Sequence, residues 1–119
     1  MEKHTWHRIA TPKSTKEPSP RWGHCVATRE HELIYFAGYA GISSFYIDSV
    51  YMNDLWVFNT QTMTWNDIKT GGEVPSNRSN CTAHFDSASD ELIIFGGGGT
   101  NKKRFNTVSI LNWKTKIWR

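Results

Sequence analysis

NDLWVFNTQTMTW (Asn53–Trp65) and NTVSILNWKTKIW (Asn106–Trp118) are two copies of one pattern, 53 positions apart. Each starts at Asn, runs through an apolar segment and a polar turn, and closes on Trp. Upstream, ELIYFAG (Glu32–Gly38) returns as ELIIFGG (Glu91–Gly97) after 59 positions. Further upstream, PSPRWGHCVA and PSNRSNCTAH pair Arg21 with Arg78, and Cys25 is matched to Cys81. The opening Trp6-His7-Arg8-Ile9 mirrors Trp65-Asn66-Asp67-Ile68. One loop is longer in the first copy: Gly38 to Asn53 is 15 positions, Gly97 to Asn106 only nine. Self-similarity at such a period marks a repeat architecture.

Each copy divides into four short strands. In the first they are Trp22–Thr28, Leu33–Phe36, Leu55–Asn59 and Thr64–Ile68; in the second, Cys81–Phe85, Leu92–Phe95, Val108–Leu111 and a stub at Ile117–Trp118. The second strand of each is a continuous apolar run, the pattern of a strand buried on both faces. Gly, Asn, Asp, Ser and Pro gather between them, as turns require. No segment holds a helical period for more than a turn or two. The fold class is all-β.

The chain has 119 residues, one domain's worth, and 13% aromatics supply the apolar surface a core needs. Its longest apolar run, Leu33–Ile42, is ten residues with two glycines, half of what a bilayer crossing takes. The N-terminus has no apolar stretch of the signal-peptide kind. Two cysteines without that signal point to a reducing, cytoplasmic setting and no disulfide framework. The net charge of +3 is unevenly spread: +3 over residues 1–30, −6 over 31–91 and +6 over 92–119. Such blocks suit partner steering or association of opposite surfaces, and equally an unremarkable solvated exterior.

Several motifs in register resemble the kelch repeat: PRWGH (Pro20–His24), the glycine pair after the second strand, NDLWVFN, and the Trp closing each fourth strand. The linker from Trp65 through Gly72-Glu73-Val74-Pro75 to Arg78 is similar to long-repeat kelch proteins rather than to BTB-linked ones. The sequence departs from the pattern at Ala37, in place of a first glycine, and at Ser79-Asn80, in place of Gly-His. The resemblance implies a partial β-propeller over residues 1–119. It would comprise a first blade at 20–69, a second at 76–119 with its last strand incomplete, and an extra outer strand at 4–10. Trp65 and Trp118 would fill wedges between blades, and Arg21 and Arg78 would bond backbone or carboxylates within the propeller. Two blades cannot close a ring, so the chain is expected to be a piece of a longer kelch protein or a self-assembling subunit, three copies giving six blades.

In a four-stranded meander the loop after the second strand and the inter-blade linker share one end. Those are the long segments here: Lys13–Ser19, Tyr39–Met52, Thr70–Asn77 and Gly98–Phe105. The longest carries more apolar surface than an idle loop needs, and Tyr39, Ile42, Phe45 and Tyr46 are the expected anchors for a protein partner. Packing of Tyr46, Ile47 and Tyr51 back onto the blade, as an extra hairpin, is the competing expectation. Lys102, Lys103 and Arg104 form a basic loop tip suited to an acidic partner segment, or simply to solvent.

Catalytic constellations are not found. His4 and His7, His24 and Cys25, and Cys81 and His84 fall at spacings that a strand does not bring to one face. The two cysteines read as buried structural residues of the innermost strands. GGGGT (Gly96–Thr100) follows a strand and precedes no helix, so it is a turn rather than a phosphate cradle. No cofactor, metal, membrane or nucleic-acid partner is expected. The expected function is a non-catalytic protein-interaction module working through its long-loop face. The alternatives are a sugar- or small-molecule-handling propeller with its site at the central channel, and a purely structural or self-assembling one.

Overall fold

The structure, a computed structural model, describes residues 3–12, 16–41 and 50–119. Two sheets account for nearly all of its regular backbone. Blade 1 is a four-stranded antiparallel meander of β1 (Cys25–Arg29), β2 (Glu32–Ala40), β3 (Val50–Asn59) and β4 (Thr64–Ile68), in that spatial order. Blade 2 repeats the meander with β6 (Thr82–Asp86), β7 (Glu91–Phe95), β8 (Val108–Asn112) and β9 (Ile117–Trp118). It adds β5 (Gly71–Gly72), which lies parallel to β9 on the outer edge. A single 3₁₀ turn at Thr100–Lys102 is the only helical backbone among the described residues.

The turns show why the two copies fold alike. After β3, the Asn59 side-chain oxygen accepts from the Gln61 and Thr62 amides at 2.8 and 3.0 Å; after β8, that of Asn112 accepts from Thr115 at 2.9 Å. These Asx turns reverse the chain, and Met63 and Lys116 each take a positive φ, 55° and 59°, to enter the next strand.

Side-chain alternation gives each blade two faces, and the core lies where they meet. Blade 1 contributes Cys25, Ala27, Ile34, Phe36, Leu55 and Val57; blade 2 answers with Phe85, Leu92, Ile94, Leu111 and Trp118. The innermost strands β1 and β6 pack against each other along this seam. The continuous apolar runs are therefore buried on one face only. In β7, Leu92 and Ile94 are sealed, whereas Phe95 on the other face is 51% exposed. Its neighbours Val108 and Ile117 are likewise exposed.

Residues 3–12 form no strand within this chain, and the Trp6 ring is bare. Among the described residues the outer edge of β4 is unpaired, whereas β9 carries β5 on its outer side. Three expectations need correction. The loop expected over Tyr39–Met52 is shorter, because β2 and β3 continue pairing to Ala40 opposite Val50. Tyr39 and Tyr51 are thus paired strand residues, facing each other at 4.9 Å in an edge-on contact. The linker also holds a strand: at Gly72, with φ +77°, a β-carbon would lie 2.5 Å from the Trp118 carbonyl oxygen, so only glycine admits the strap.

The third correction concerns the cysteines. Cys25 pairs with Phe36, and it is Thr82 that pairs with the equivalent Phe95; the repeat-mate of Cys25 is Thr82 and that of Cys81 is His24. The two cysteines differ by one residue in register and so occupy opposite faces of their blades.

Candidate partner-binding cleft

On the long-loop end, lined from both blades, lies a cleft of about 520 Å³. Trp22 and Tyr51 form its blade 1 wall; Asn80, Phe95, Gly97, Arg104 and Phe105 are prominent on the blade 2 side. Local backbone geometry places each of them. Trp22 exchanges backbone hydrogen bonds with Tyr39, at 3.1 and 2.8 Å, and its ring meets the Tyr39 ring at 4.9 Å. Tyr39 in turn meets Tyr51, so three aromatics form one row along the extended β2–β3 hairpin. Trp22 stays 57% exposed at the end of that row.

The floor is backbone. Gly97, with φ +100°, lets the end of β7 approach Ser79 so closely that a β-carbon would lie 2.8 Å from the Ser79 carbonyl oxygen. Ser79 and Gly98 exchange hydrogen bonds at 2.8 Å each way, and the Phe105 amide donates to Gly97 at 2.9 Å. These bonds fix the 98–105 loop and set Phe105 between two cations. The Arg78 guanidinium lies 3.9 Å from its ring centroid and the Lys103 ammonium 5.1 Å.

The two repeat arginines hold the scaffold under the loops. Arg21 clamps Asp54 through both carboxylate oxygens, at 2.5 and 2.9 Å, and donates to the Ala37 carbonyl at 3.1 Å. Asp54 also accepts from the Trp56 indole at 2.8 Å. Burial would raise its carboxyl, but the Arg21 and Trp56 hydrogen bonds outweigh that and hold it below the ordinary carboxylate value. Arg78 has no such partner: the position equivalent to Asp54 is Thr107. At 3% exposure it donates to the Gly96 and Ser76 carbonyls, both at 3.0 Å, and stacks on Phe105. Burial is the main cause that lowers its affinity for a proton.

Of the expected anchors, Tyr39 supports Trp22 and Tyr51 behind the cleft rather than lining it. Ile42, Phe45 and Tyr46 lie outside the described residues. Arg104 lines the cleft, and its side chain donates to the neighbouring Lys103 carbonyl at 3.1 Å. Lys103 sits beside a shallower hollow with Ser76, Asn77 and Phe105, and Lys102 is exposed on the 3₁₀ turn. Among the described residues, Lys102, Lys103 and Arg104 form no ion pair. Ionic contacts concentrate instead at the opposite end, where Arg29 meets Glu30, Glu32 and Asp90 at 3.8, 3.5 and 3.2 Å. Sequence reasoning missed Trp22 and Phe105 as cleft residues. An exposed-type loop position next to the 102–104 charges could have flagged Phe105; Trp22 was hidden inside PRWGH, read as scaffold.

Among the described residues no three of His, Cys, Asp and Glu gather as a metal-ligand set, and no helix is long and apolar enough to cross a membrane. His24 leaves Nδ1 buried without a hydrogen bond, beside the Tyr35 ring at 5.3 Å on the outward face of blade 1.

The sequence matches the family model of the KLHDC2/KLHL20/DRC7 Kelch-repeats domain over residues 1–119. It is 35% identical over 86 residues to a probable serine/threonine-protein kinase of Dictyostelium discoideum, covering 71% of this chain and 6% of that protein. To acyl-CoA-binding domain-containing protein 4 of Arabidopsis thaliana it is 32% identical over 114 residues, 96% of this chain and 16% of the relative. Human kelch domain-containing protein 2 is 30% identical over 111 residues, 82% of this chain and 26% of the relative. The chain thus spans about a quarter or less of these relatives' lengths. Matched along its whole length and folded as two repeated four-stranded blades, the chain belongs to the kelch-repeat family.

Proposed function

We propose that this chain is a non-catalytic protein-interaction module whose loop face takes a partner segment into the cleft between its blades. Kelch-repeat domains are generally protein-interaction modules, and the observation that carries the finer reading is a juxtaposition. An exposed Trp22 and the Phe105 ring face a cleft whose cations have no carboxylate partner among the described residues, while the other end of the blades is charge-paired. Rigid aromatics supply contact area at small entropic cost, and unpaired Arg104 favours an acidic segment. Lys102 and Lys103 steer it, and Ile42, Phe45 and Tyr46 extend the contact beyond the described residues. A cytoplasmic setting goes with this reading, since it keeps both cysteines as free thiols.

The test is a panning of random twelve-residue phage-displayed peptides on the chain, followed by Trp22→Ser and Arg104→Glu variants that melt normally. Enriched peptides should carry acidic and aromatic residues, and each variant should weaken them at least tenfold. Peptides that bind both variants unchanged would place the contact elsewhere and sink the reading.

A second reading has its own observation. The outward face of blade 1 presents Tyr35, Trp56 and Trp65 around a hollow of about 240 Å³, and that of blade 2 presents Phe95, Val108 and Ile117. These are the repeat-equivalents of the two surfaces that already meet inside the chain, so one can cover the other in a neighbouring copy or in further repeats. Light scattering after size exclusion distinguishes the cases. A discrete trimer supports self-completion, with the 4–10 segment adding a neighbour's outer strand, and a stable monomer rules it out.

A further inference from the structure

The one-residue register difference between the copies puts Cys25 on the blade 1 face that looks toward blade 2, and Cys81 on the blade 2 face that looks back. Their sulfurs meet across the seam at 2.9 Å, both side chains being buried at 5% and 8% exposure. Equivalent positions in two repeats would have pointed the same way around the propeller and never met. From this geometry we infer that Cys25 and Cys81 are an oxidisable dithiol, which a peroxide converts to an intramolecular disulfide stapling the two blades together.

Little movement is needed. Bond formation brings sulfurs to about 2.05 Å, a closure of under roughly 1 Å between strands that already pack side by side. The surroundings assign the two roles. Cys81 is held below the ordinary thiol value, chiefly by its hydrogen bond with Cys25, with the buried Arg78 charge adding to the effect. Cys25 is pushed well above it by the same hydrogen bond and by burial, and its sulfur also lies 3.6 Å from the Phe36 carbonyl oxygen. Because the Cys25 S–H is directed at the Phe36 carbonyl oxygen, Cys81 supplies the thiolate and Cys25 the resolving thiol.

The Cys81 thiolate attacks one oxygen of the peroxide; the O–O bond breaks, and the departing hydroxide takes a proton to become water. The Cys25 sulfur, giving up its proton, then attacks the Cys81 sulfenic sulfur, and the sulfenic hydroxyl leaves as a second water. Two thiols are oxidised and one hydrogen peroxide is reduced to two waters. Asn80 and Thr82 flank Cys81 and line the cleft, so the staple also fixes the separation of its walls.

The full chain is treated with hydrogen peroxide and read by intact mass, by non-reducing peptide mapping and by melting with and without reductant. The expected product is a monomer lighter by two hydrogens, with the 25 and 81 peptides joined and a melting midpoint raised on the order of 10 °C, reversed by reductant. The Cys25→Ser and Cys81→Ser variants, which change one atom each, should lose the shift. A sulfenic-acid trap such as dimedone should label Cys81 in Cys25→Ser and leave Cys25 unlabelled in Cys81→Ser. Sulfinic acid without a crosslink, a crosslink only between chains, or a crosslink with no change in melting would each overturn the inference. The opposite labelling pattern would overturn the assignment of roles.

Discussion

Trp65 and Trp118 occupy the same position in the fourth strand of their repeats and live in different surroundings. Trp118 is 1% exposed in the seam between the blades, 5.4 Å from the Phe36 ring, and its indole donates to the Thr70 hydroxyl at 3.0 Å. Trp65 leans on Tyr35 and Phe58 of its own sheet, at 5.1 and 5.0 Å, and is only half-buried because, among the described residues, no second blade packs on the outward face of blade 1. The same residue at the same repeat position is thus an inter-blade wedge in one copy and part of an open face in the other. What a repeat position contributes depends on its neighbour, as expected where each unit buries its face only against the next. Trp118→Ala should cost about 3–5 kcal/mol, the range for deleting a buried aromatic, and Trp65→Ala only about 1–2 kcal/mol. Chemical denaturation of both variants checks this. Equal losses would mean that the outward face of blade 1 is covered in solution, which would itself favour self-association.

The arginines sharpen the comparison at the next level of effect. Arg78→Gln removes a buried stack and two bonds to backbone carbonyls, and should cost about 2–3 kcal/mol with no special pH dependence. Arg21→Gln should cost less at neutral pH but change the response to acid. The Asp54 carboxyl is depressed in the folded state, so its contribution is present above the ordinary value of 3.8 and is lost as pH falls through the folded value. Removing Arg21 takes that contribution away beforehand. Stability measured from pH 7 down to about pH 3 should therefore fall less steeply in Arg21→Gln than in the parent, and in parallel with the parent in Arg78→Gln. An acid limb left unchanged by Arg21→Gln would show that the clamp carries no pH-linked stability.

The strands themselves were legible because alternation, Asx turns and the closing Trp are local signals, present in Asn53–Trp65 and again in Asn106–Trp118. What escaped depends on partners distant in the chain. Gly71–Gly72 reads as linker until β9 is laid beside it, and the pairing of Tyr39 with Tyr51 needs a hairpin that no turn motif announces. The cysteines were misaligned because four positions separate Arg21 from Cys25 and only three separate Arg78 from Cys81. A match by residue type overrode the count, and in a strand one position changes the face. At the cleft, the basic tip was visible as charge, but Trp22 belongs to a scaffold motif and shows itself only through its exposure.

The smallest expected effect lies where the first copy departs from the glycine pattern. Ala37 is completely buried and holds φ +64°, in a bulge between Phe36 and Gly38, where the second copy has Gly96 at φ +73°. A left-handed conformation costs a residue with a β-carbon about 1–2 kcal/mol relative to glycine. Against that, the Ala37 methyl sits in the core, where burying one carbon is worth about 0.8 kcal/mol. The two effects oppose each other and are of similar size. Ala37→Gly should therefore change the unfolding free energy from chemical denaturation by less than about 1 kcal/mol in either direction, with no change in the denaturant slope. A gain well beyond that would mean the bulge is strained in this copy and the methyl packs poorly. An equally large loss would mean that the methyl fills a space the repeat elsewhere leaves to backbone, and that alanine stands there for its packing.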